Sequence, residues 1–444
     1  MKDTGADPHP QAGTGLFAEG FQATPCWLVD LAPLPALPTA PPATADVVVI
    51  GSGYTGLNAA LQLARGGRHV VVLEAGEPGA GCSTRNGGQI HEGIHPSSDA
   101  PLRAIGPERA KAALQEGPNS VDWLEHLITE EQIDCNFGRY GSYHAAHTPQ
   151  KYERMARRAE ADGEIVVPRA EQHRELGSDH YFGGVVNPRD GSLQPAKYHR
   201  GLMERCLAAG VTIFPNCPAT GVQADGDTFE VTTPSIKIKT RNVAVATNGY
   251  TGTATPWMRR RVVPIGSYII ATEKLAPEVI DKLIPTHRAI TDTRKVIYYY
   301  RVSPDRQRIV FGGRVSAAET DPVISGPKLH HQMVEIFPAL AQTKISHSWF
   351  GTVAFSFDEL PHTGVHKGMH YAMTYCGSGV AMASYLGAKM GQKILGLAEG
   401  ETALDNLRFP TRPLYTGNPW FLPAVVGWYR WRDDRECKRA HIQN

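Results

Sequence analysis

Asp46-Val-Val-Val-Ile50 running into Gly51-Ser52-Gly53-Tyr54-Thr55-Gly56 decides the fold. Val47 to Ile50 are apolar in succession, which suits a strand buried on both faces of a parallel sheet. Gly51 permits a tight turn, Gly53 lets a pyrophosphate approach the backbone, and Gly56 lets helix and strand pack closely. A helix follows, because Leu57, Ala60, Leu61 and Ala64 recur at helical spacing. Gly66-Gly67 ends it. His69-Val-Val-Val-Leu73 reads as a second buried strand, closed by Glu74. A carboxylate there accepts hydrogen bonds from ribose hydroxyls and repels a 2′-phosphate. Strand, glycine loop, helix, strand and acid in register predict a dinucleotide site, with a helix N-terminus facing the phosphates. This fingerprint does not separate NAD from FAD.

Composition bounds the rest. The chain has 444 residues, enough for about three structural units. With 45 Lys and Arg against 44 Asp and Glu, it lacks the basic excess of a nucleic-acid-binding domain. The 7 cysteines are odd in number and none are spaced Cys-x-x-Cys, so neither a disulfide framework nor a zinc site is expected. Reduced thiols suit a cytoplasmic protein. No signal peptide and no membrane span are read. The stretch from Trp420 to Trp431 is short and interrupted by Pro423 and Gly427. No metal site and no Gly-x-Ser-x-Gly nucleophile elbow are found.

Along the chain, residues 1–44 read as an extended arm rich in Pro, Ala and Thr. Helical stretches are expected at 104–131, 149–162, 195–209, 328–340 and 380–397. Strands are expected at 211–214, in a meander over 218–247, and in an antiparallel set over 262–315. Ser303-Pro304-Asp305 marks a turn. The expected fold class is α/β plus α+β, a Rossmann-like nucleotide domain beside a domain with an antiparallel sheet. The division reads 45–97 with 195–262 and 345–400 for the nucleotide domain. Residues 98–194 with 263–344 form the substrate domain, and 401–444 a C-terminal tail.

Gly81-Cys82-Ser83-Thr84-Arg85-Asn86-Gly87-Gly88-Gln89 follows the second strand. Its backbone N–H groups suit a flavin ring and its phosphates, and equally a solvated surface loop. The run from Ala45 to Gln89 resembles the FAD-dependent amine oxidases of the D-amino acid oxidase superfamily, with glycine and sarcosine oxidases. Within them it is most similar to the gamma-glutamylputrescine oxidases. The resemblance continues at Asn187 to Pro195, Ala246 to Gly249, Pro264 to Thr272, Arg301 to Asp305, Phe311 to Arg314, Trp349 to Thr352, Asp358 to Pro361, Tyr375 to Val380, and Pro413 to Pro423.

The resemblance implies FAD stretched across the nucleotide domain, with the second domain covering the reactive face of the ring. It implies that Gly51, Ser52, Gly53, Tyr54, Thr55 and Gly56 hold the pyrophosphate, and Glu74 with Ala75 the adenosine ribose. Ser83, Thr84, Arg85, Asn86, Gly87, Gly88 and Gln89 are expected beside the isoalloxazine. Thr247 and Gly249 are expected close to FAD, and Gly377, Ser378, Gly379 and Val380 to begin a helix at the flavin. Two departures stand out. No Cys lies between Gly351 and Asp358 and no His between Cys82 and Arg85, where relatives anchor flavin covalently, so FAD is expected to be noncovalent. Val310 stands where sarcosine oxidases carry a Lys that assists oxygen.

The implied reaction is oxidation of a small primary or secondary amine, gamma-glutamylated amines included. Hydride passes to flavin N5, the imine hydrolyses to an aldehyde, and oxygen takes the electrons as hydrogen peroxide. The alternative is a flavin amine dehydrogenase with another electron acceptor. An aromatic cage favours the neutral amine by desolvation. Its candidates are Tyr268, Tyr298, Tyr300, Trp349 and Phe355, for which plain strand packing stays open. Arg301 is a candidate carboxylate clamp, with an ion-paired strand residue as the other reading. His91 and His95 follow the flavin loop and are candidates for the pocket or for loop hydrogen bonding. Alternation sets Tyr298 and Tyr300 on one face and Tyr299 and Arg301 on the other, without saying which meets the flavin. Oligomeric state is not read.

Overall fold

The structure is a computed structural model describing residues 15–94, 96–314 and 320–442. Two large sheets hold most of its strands. The first has eight strands, with a parallel centre of Lys237–Val245, Thr44–Ile50, Val70–Leu73 and Thr212–Phe214 side by side. Val47 to Ile50 pair in register with Val70 to Leu73, and all eight residues are buried. Burial on both faces is why these runs show no polar alternation. Gly221–Asp225 and Thr228–Thr232 extend one edge as an antiparallel meander. Met369–Met373 lies parallel to the end of Lys237–Val245.

Helix Tyr54–Arg65 packs on this sheet beside helix Gly379–Ile394, sharing a core with Val47, Val49, Val70 and Val72. The first helix stops where Gly67, at φ +78°, turns left-handed. Gly67 N–H donates to Ala64 and Arg68 N–H to Leu63, closing the last turn.

The second sheet has nine strands. In spatial order they are Phe17–Gln22, Ile345–Phe355, Val263–Thr272, Ile309–Gly313, Tyr299–Val302, Ala289–Asp292, Ser142–Ala145, Gly184–Asn187 and Ile165–Val167. It is antiparallel except where Phe17–Gln22 joins Ile345–Phe355 and where Ala289–Asp292 joins Ser142–Ala145. Ile345–Phe355 thus belongs to this sheet, although the sequence division groups 345–400 with the nucleotide part. The first strand of the arm is the edge of the same sheet.

The two faces of this sheet differ. Tyr268, Ile270, Tyr300, Ile309 and Phe311 point to a core shared with Leu329, Met333 and Ile336 of helix Pro322–Ile336. The residues between them turn toward the glycine-rich loops of the first sheet. At the C-terminus, Leu422–Ile442 is a helix of 21 residues. No helix among the described residues is long and apolar enough to cross a membrane.

Candidate functional site

A cavity of about 1170 Å³ runs between the loops of the two sheets. Gly51, Gly53, Tyr54 and Thr55 line it at the start of helix Tyr54–Arg65, and Gly377 to Val380 at the start of helix Gly379–Ile394. Neither N-cap residue caps its own helix with a side chain; Ser83 Oγ accepts from the Tyr54 N–H at 3.1 Å, and the other first-turn N–H groups have no partner within their helices. Gly51 sits at φ +105°, and a Cβ there would lie 2.9 Å from the Ala246 carbonyl oxygen. A Cβ on Gly377, at φ +104°, would meet nothing within 4 Å. Open space before two helix N-termini suits an anionic diphosphate.

Glu74 lines the same wall, with Ala75 beside it. Ser52 N–H and hydroxyl donate to one Glu74 oxygen at 2.9 and 2.7 Å, and Gly76 N–H to the other at 3.2 Å. These bonds fix the carboxylate and leave lone pairs for a ribose. Ser52 itself is buried behind the lining, where its carbonyl lies 2.8 Å from His199 Nε2. Gly56 is also behind it. A Cβ on Gly56 would fall 1.9 Å from the Gly51 carbonyl oxygen, so close helix-to-strand packing requires the glycine.

The loop after the second strand is clamped, which decides against a solvated loop. Cys82–Arg85 makes one helical turn. Two indoles hold it: Trp27 Nε1 donates to the Asn86 carbonyl at 2.9 Å, and Trp349 Nε1 to that of Arg85 at 2.8 Å. Arg301 donates to the carbonyls of Gly88 and Leu193 at 3.1 and 2.9 Å. Ser83, Arg85, Asn86, Gly87 and Gln89 line the cavity. Thr84 lies behind, its hydroxyl donating to the Gly79 carbonyl at 2.6 Å. Gly88, at φ +72°, packs on the Leu193 carbonyl instead of facing the cavity. Thr247 lines the cavity, whereas Gly249 packs against Thr352.

Of the expected substrate contacts, Phe355 and His91 line the cavity. Tyr268, Tyr298, Tyr300, Trp349 and Arg301 do not, and the reasons are physical. Tyr268 and Tyr300 lie fully buried on the core face of the sheet. Tyr298 shares that face and packs on Phe311 and the Arg294 guanidinium. Trp349 is fully buried beneath the loop that it holds. Arg301 is 4% exposed and committed to backbone carbonyls.

Tyr299 lines the cavity instead, its hydroxyl 2.8 Å from Ser267 Oγ. Gly312 lies opposite it in register, and a Cβ there would fall 2.2 Å from the Tyr299 ring. The sequence signal is Gly312-Gly313 inside an apolar strand, which marks a close approach.

His91 belongs to a polar chain. Its Nδ1 lies 2.8 Å from Asp190 Oδ2, which also accepts from Ser142 Oγ at 2.6 Å. Its Nε2 lies 3.3 Å from Gln89 Oε1. Burial opposes the charged imidazole, but Asp190 outweighs burial and raises His91 above its ordinary 6.5. Burial likewise opposes the Asp190 carboxylate, and His91 and its hydrogen bonds hold it below its ordinary 3.8. His95 lies outside the described residues.

Cys82 and Cys376 line the cavity, and burial pushes their thiols up to about 11 and about 12. Near the cavity, Asp433 of the C-terminal helix accepts from the N–H groups of Lys295 and Val296 at 3.1 and 2.8 Å. It thereby seats Arg294 to Ile297, which line the wall. His147, Asp433 and Glu436 place their polar atoms within 4.8 Å of one another. Arg294, Lys151 and Arg432 face His147, which makes this a cationic neighbourhood.

Residues 46–392 match the family described as DAO, FAD dependent oxidoreductase. A probable oxidoreductase OrdL of Rhizobium meliloti is 32% identical, over 88% of this chain and 92% of that protein. A gamma-glutamylputrescine oxidoreductase of Escherichia coli is 28% identical, over 88% of this chain and 93% of that one. Among solved structures, a glycine oxidase from Geobacillus kaustophilus superposes with a TM-score of 0.68 at 18% identity, covering 84% of this chain and 99% of that one. That likeness concerns the fold.

Proposed function

The chain belongs to the FAD-dependent oxidoreductase family, and from that premise we propose that it oxidises small primary or secondary amines, gamma-glutamylated amines included. The gamma-glutamylputrescine oxidoreductase relative, aligned over 88% of this chain, supports that substrate class. The observation that carries the reading is the single cavity wall that runs from the Gly51 turn and Glu74, past the clamped loop, to Tyr299 and His91. A nucleotide end and an enclosed reaction end are thereby continuous. Gly51, Gly53, Tyr54, Thr55 and Glu74 would hold the diphosphate and ribose of FAD, and Ser83, Arg85, Asn86, Gly87 and Gln89 its ring.

Bound FAD supplies the two-electron acceptor for hydride from the carbon next to nitrogen, and oxygen is the proposed final acceptor. The protein's part is binding and proton placement. Tyr299 and Phe355 give the amine an apolar wall, and the low polarity there disfavours the ammonium form. His91 is held by Asp190, which itself accepts from Ser142, so its second ring nitrogen faces Gln89. The imine leaves as a carbonyl compound and an amine or ammonia once water reaches it. The high thiol values of Cys82 and Cys376 support noncovalent FAD, because neutral thiols are poor nucleophiles. Denaturing the protein should then release its flavin.

A dehydrogenase is the second reading, and Val310 favours it. Val310 packs with Trp27, Ala196, Ile269 and Trp349, so an apolar cluster stands where a cation would assist oxygen. Reducing the holoenzyme with amine and then mixing it with air separates the two. Rapid recovery of the oxidised flavin spectrum with peroxide supports the oxidase; slow recovery, made fast by a quinone dye, supports the dehydrogenase.

A further inference from the structure

We propose that the outer face of the C-terminal helix docks this protein on an anionic lipid surface, as a peripheral contact and not a span. Helix Leu422–Ile442 has two unlike faces. Leu422, Val426, Asp433 and Ala440 are buried against the body. Ala424, Trp428, Trp431, Arg435 and Lys438 recur at i, i+4, i+7, i+11 and i+14, and all are exposed. That spacing makes them one stripe, about 21 Å long at the helical rise. The chain has 7 tryptophans, and the exposed ones are Trp420, Trp428 and Trp431, at 69, 59 and 50%. The rings of Trp428 and Trp431 lie 5.0 Å apart, and the Arg435 guanidinium is 5.2 Å from the Trp431 ring. Leu414 and Val425 are exposed in the same segment. Large apolar side chains gathered on a surface in this way mark a partner.

The charges say which partner. Among the described residues, the exposed charges of this helix are Arg435, Lys438 and Arg439 against Asp434. Asp433 turns inward to the N–H groups of Lys295 and Val296, and Glu436 lies 3.4 Å from both Arg432 and His147. The outer face is thus a tryptophan stripe that runs into a basic one, in a chain whose total charge is only +1. Indole rings settle at the level of lipid headgroups, where the ring meets apolar chains and its N–H meets water. Arginine and lysine lay their stems along that boundary and keep their charges among the phosphates. A helix lying flat with aromatic and basic residues outward binds an anionic interface through both. A second copy of this chain would instead bring one basic face against another, which like charges oppose. The helix that meets lipid also seats Lys295 and Val296, so it belongs to the frame of the cavity wall.

The test is flotation of the full-length, FAD-loaded protein with vesicles, and it needs no turnover, so it stands or falls apart from the amine reading. Vesicles of phosphatidylglycerol mixed with phosphatidylcholine are compared with vesicles of phosphatidylcholine alone. The protein should float with the first and not with the second, and added salt should release it. Arg435→Gln, Lys438→Gln and Arg439→Gln together should weaken the binding by about tenfold or more, since one base near an anionic surface is worth about fivefold. Trp428→Ser with Trp431→Ser should weaken it by about tenfold. These side chains are exposed, and an unchanged melting temperature and flavin spectrum show that each variant is folded. Single Trp428→Ser and Lys438→Gln variants, each with a smaller loss, keep the test open should a combined variant fold poorly. A wild type that floats with neither vesicle, or equally with both, overturns the proposal, and so do variants of unchanged affinity. A wild type that ignores vesicles and forms a dimer that Trp428→Ser with Trp431→Ser dissociates overturns it as well, and assigns the face to a second copy.

Discussion

Arg301 and Arg314 lie on the same strand pair, yet only one reaches the cavity. Arg301 is held by the carbonyls of Gly88 and Leu193, so it fixes the loop beside the ring site, whereas Arg314 lines the cavity. Residue type alone does not distinguish them; hydrogen-bond partners do. His91 and Asp190 carry a prediction at this scale. His91 is raised, so its stabilising share is full below about pH 6.5 and is lost as pH rises through its folded value. Asp190 is lowered, so its share is full above about pH 3.8 and is lost as pH falls through its folded value. The pair therefore supports the fold most between those limits. Melting temperatures across pH should show Asp190→Asn losing most near pH 5, between those limits, and losing less well above His91's folded value. Equal loss at all pH values would mean that the pair acts through packing and not charge.

At the scale of elements, the nucleotide half was legible because its constraints are local. A doubly buried strand reads as an unbroken apolar run, and Gly51, Gly53 and Gly56 each answer a steric demand that no side chain meets. The substrate half was not legible to the same degree. Tyr298, Tyr299 and Tyr300 alternate faces whichever way the sheet is turned, and only packing under helix Pro322–Ile336 decides which face is core. The C-terminal helix was missed for a different reason. Pro423 reads as an interruption, but it lies in the first turn of Leu422–Ile442, where its missing N–H costs nothing. That helix has a definite task, because Asp433 takes the N–H groups of Lys295 and Val296. Asp433→Ala leaves the buried Val296 N–H and the part-buried Lys295 N–H unpaired and should cost about 2 kcal/mol of stability. Denaturant unfolding checks the loss, and hydrogen exchange should quicken first at Lys295 and Val296. Unchanged exchange there would assign the seating of this loop to other contacts.

At the scale of the whole molecule, the chain builds a cavity that belongs to neither sheet alone. The nucleotide sheet brings two helix starts and Glu74, and the nine-stranded sheet brings Tyr299, Ser267, Phe355 and Arg314. The arm and the C-terminal helix then brace it from outside, through Trp27 on the loop and Asp433 on the wall. This arrangement separates two tasks, holding a dinucleotide and enclosing the proposed amine substrate, and joins them at the clamped loop. The central claim is that electrons pass from an amine to FAD in this cavity. Its most direct test is anaerobic titration of the FAD-loaded protein with gamma-glutamylputrescine, putrescine, N-alkyl amines, sarcosine and D-amino acids, following the flavin visible band. The account predicts bleaching by at least one of these amines. A flavin that stays oxidised with every amine would contradict it.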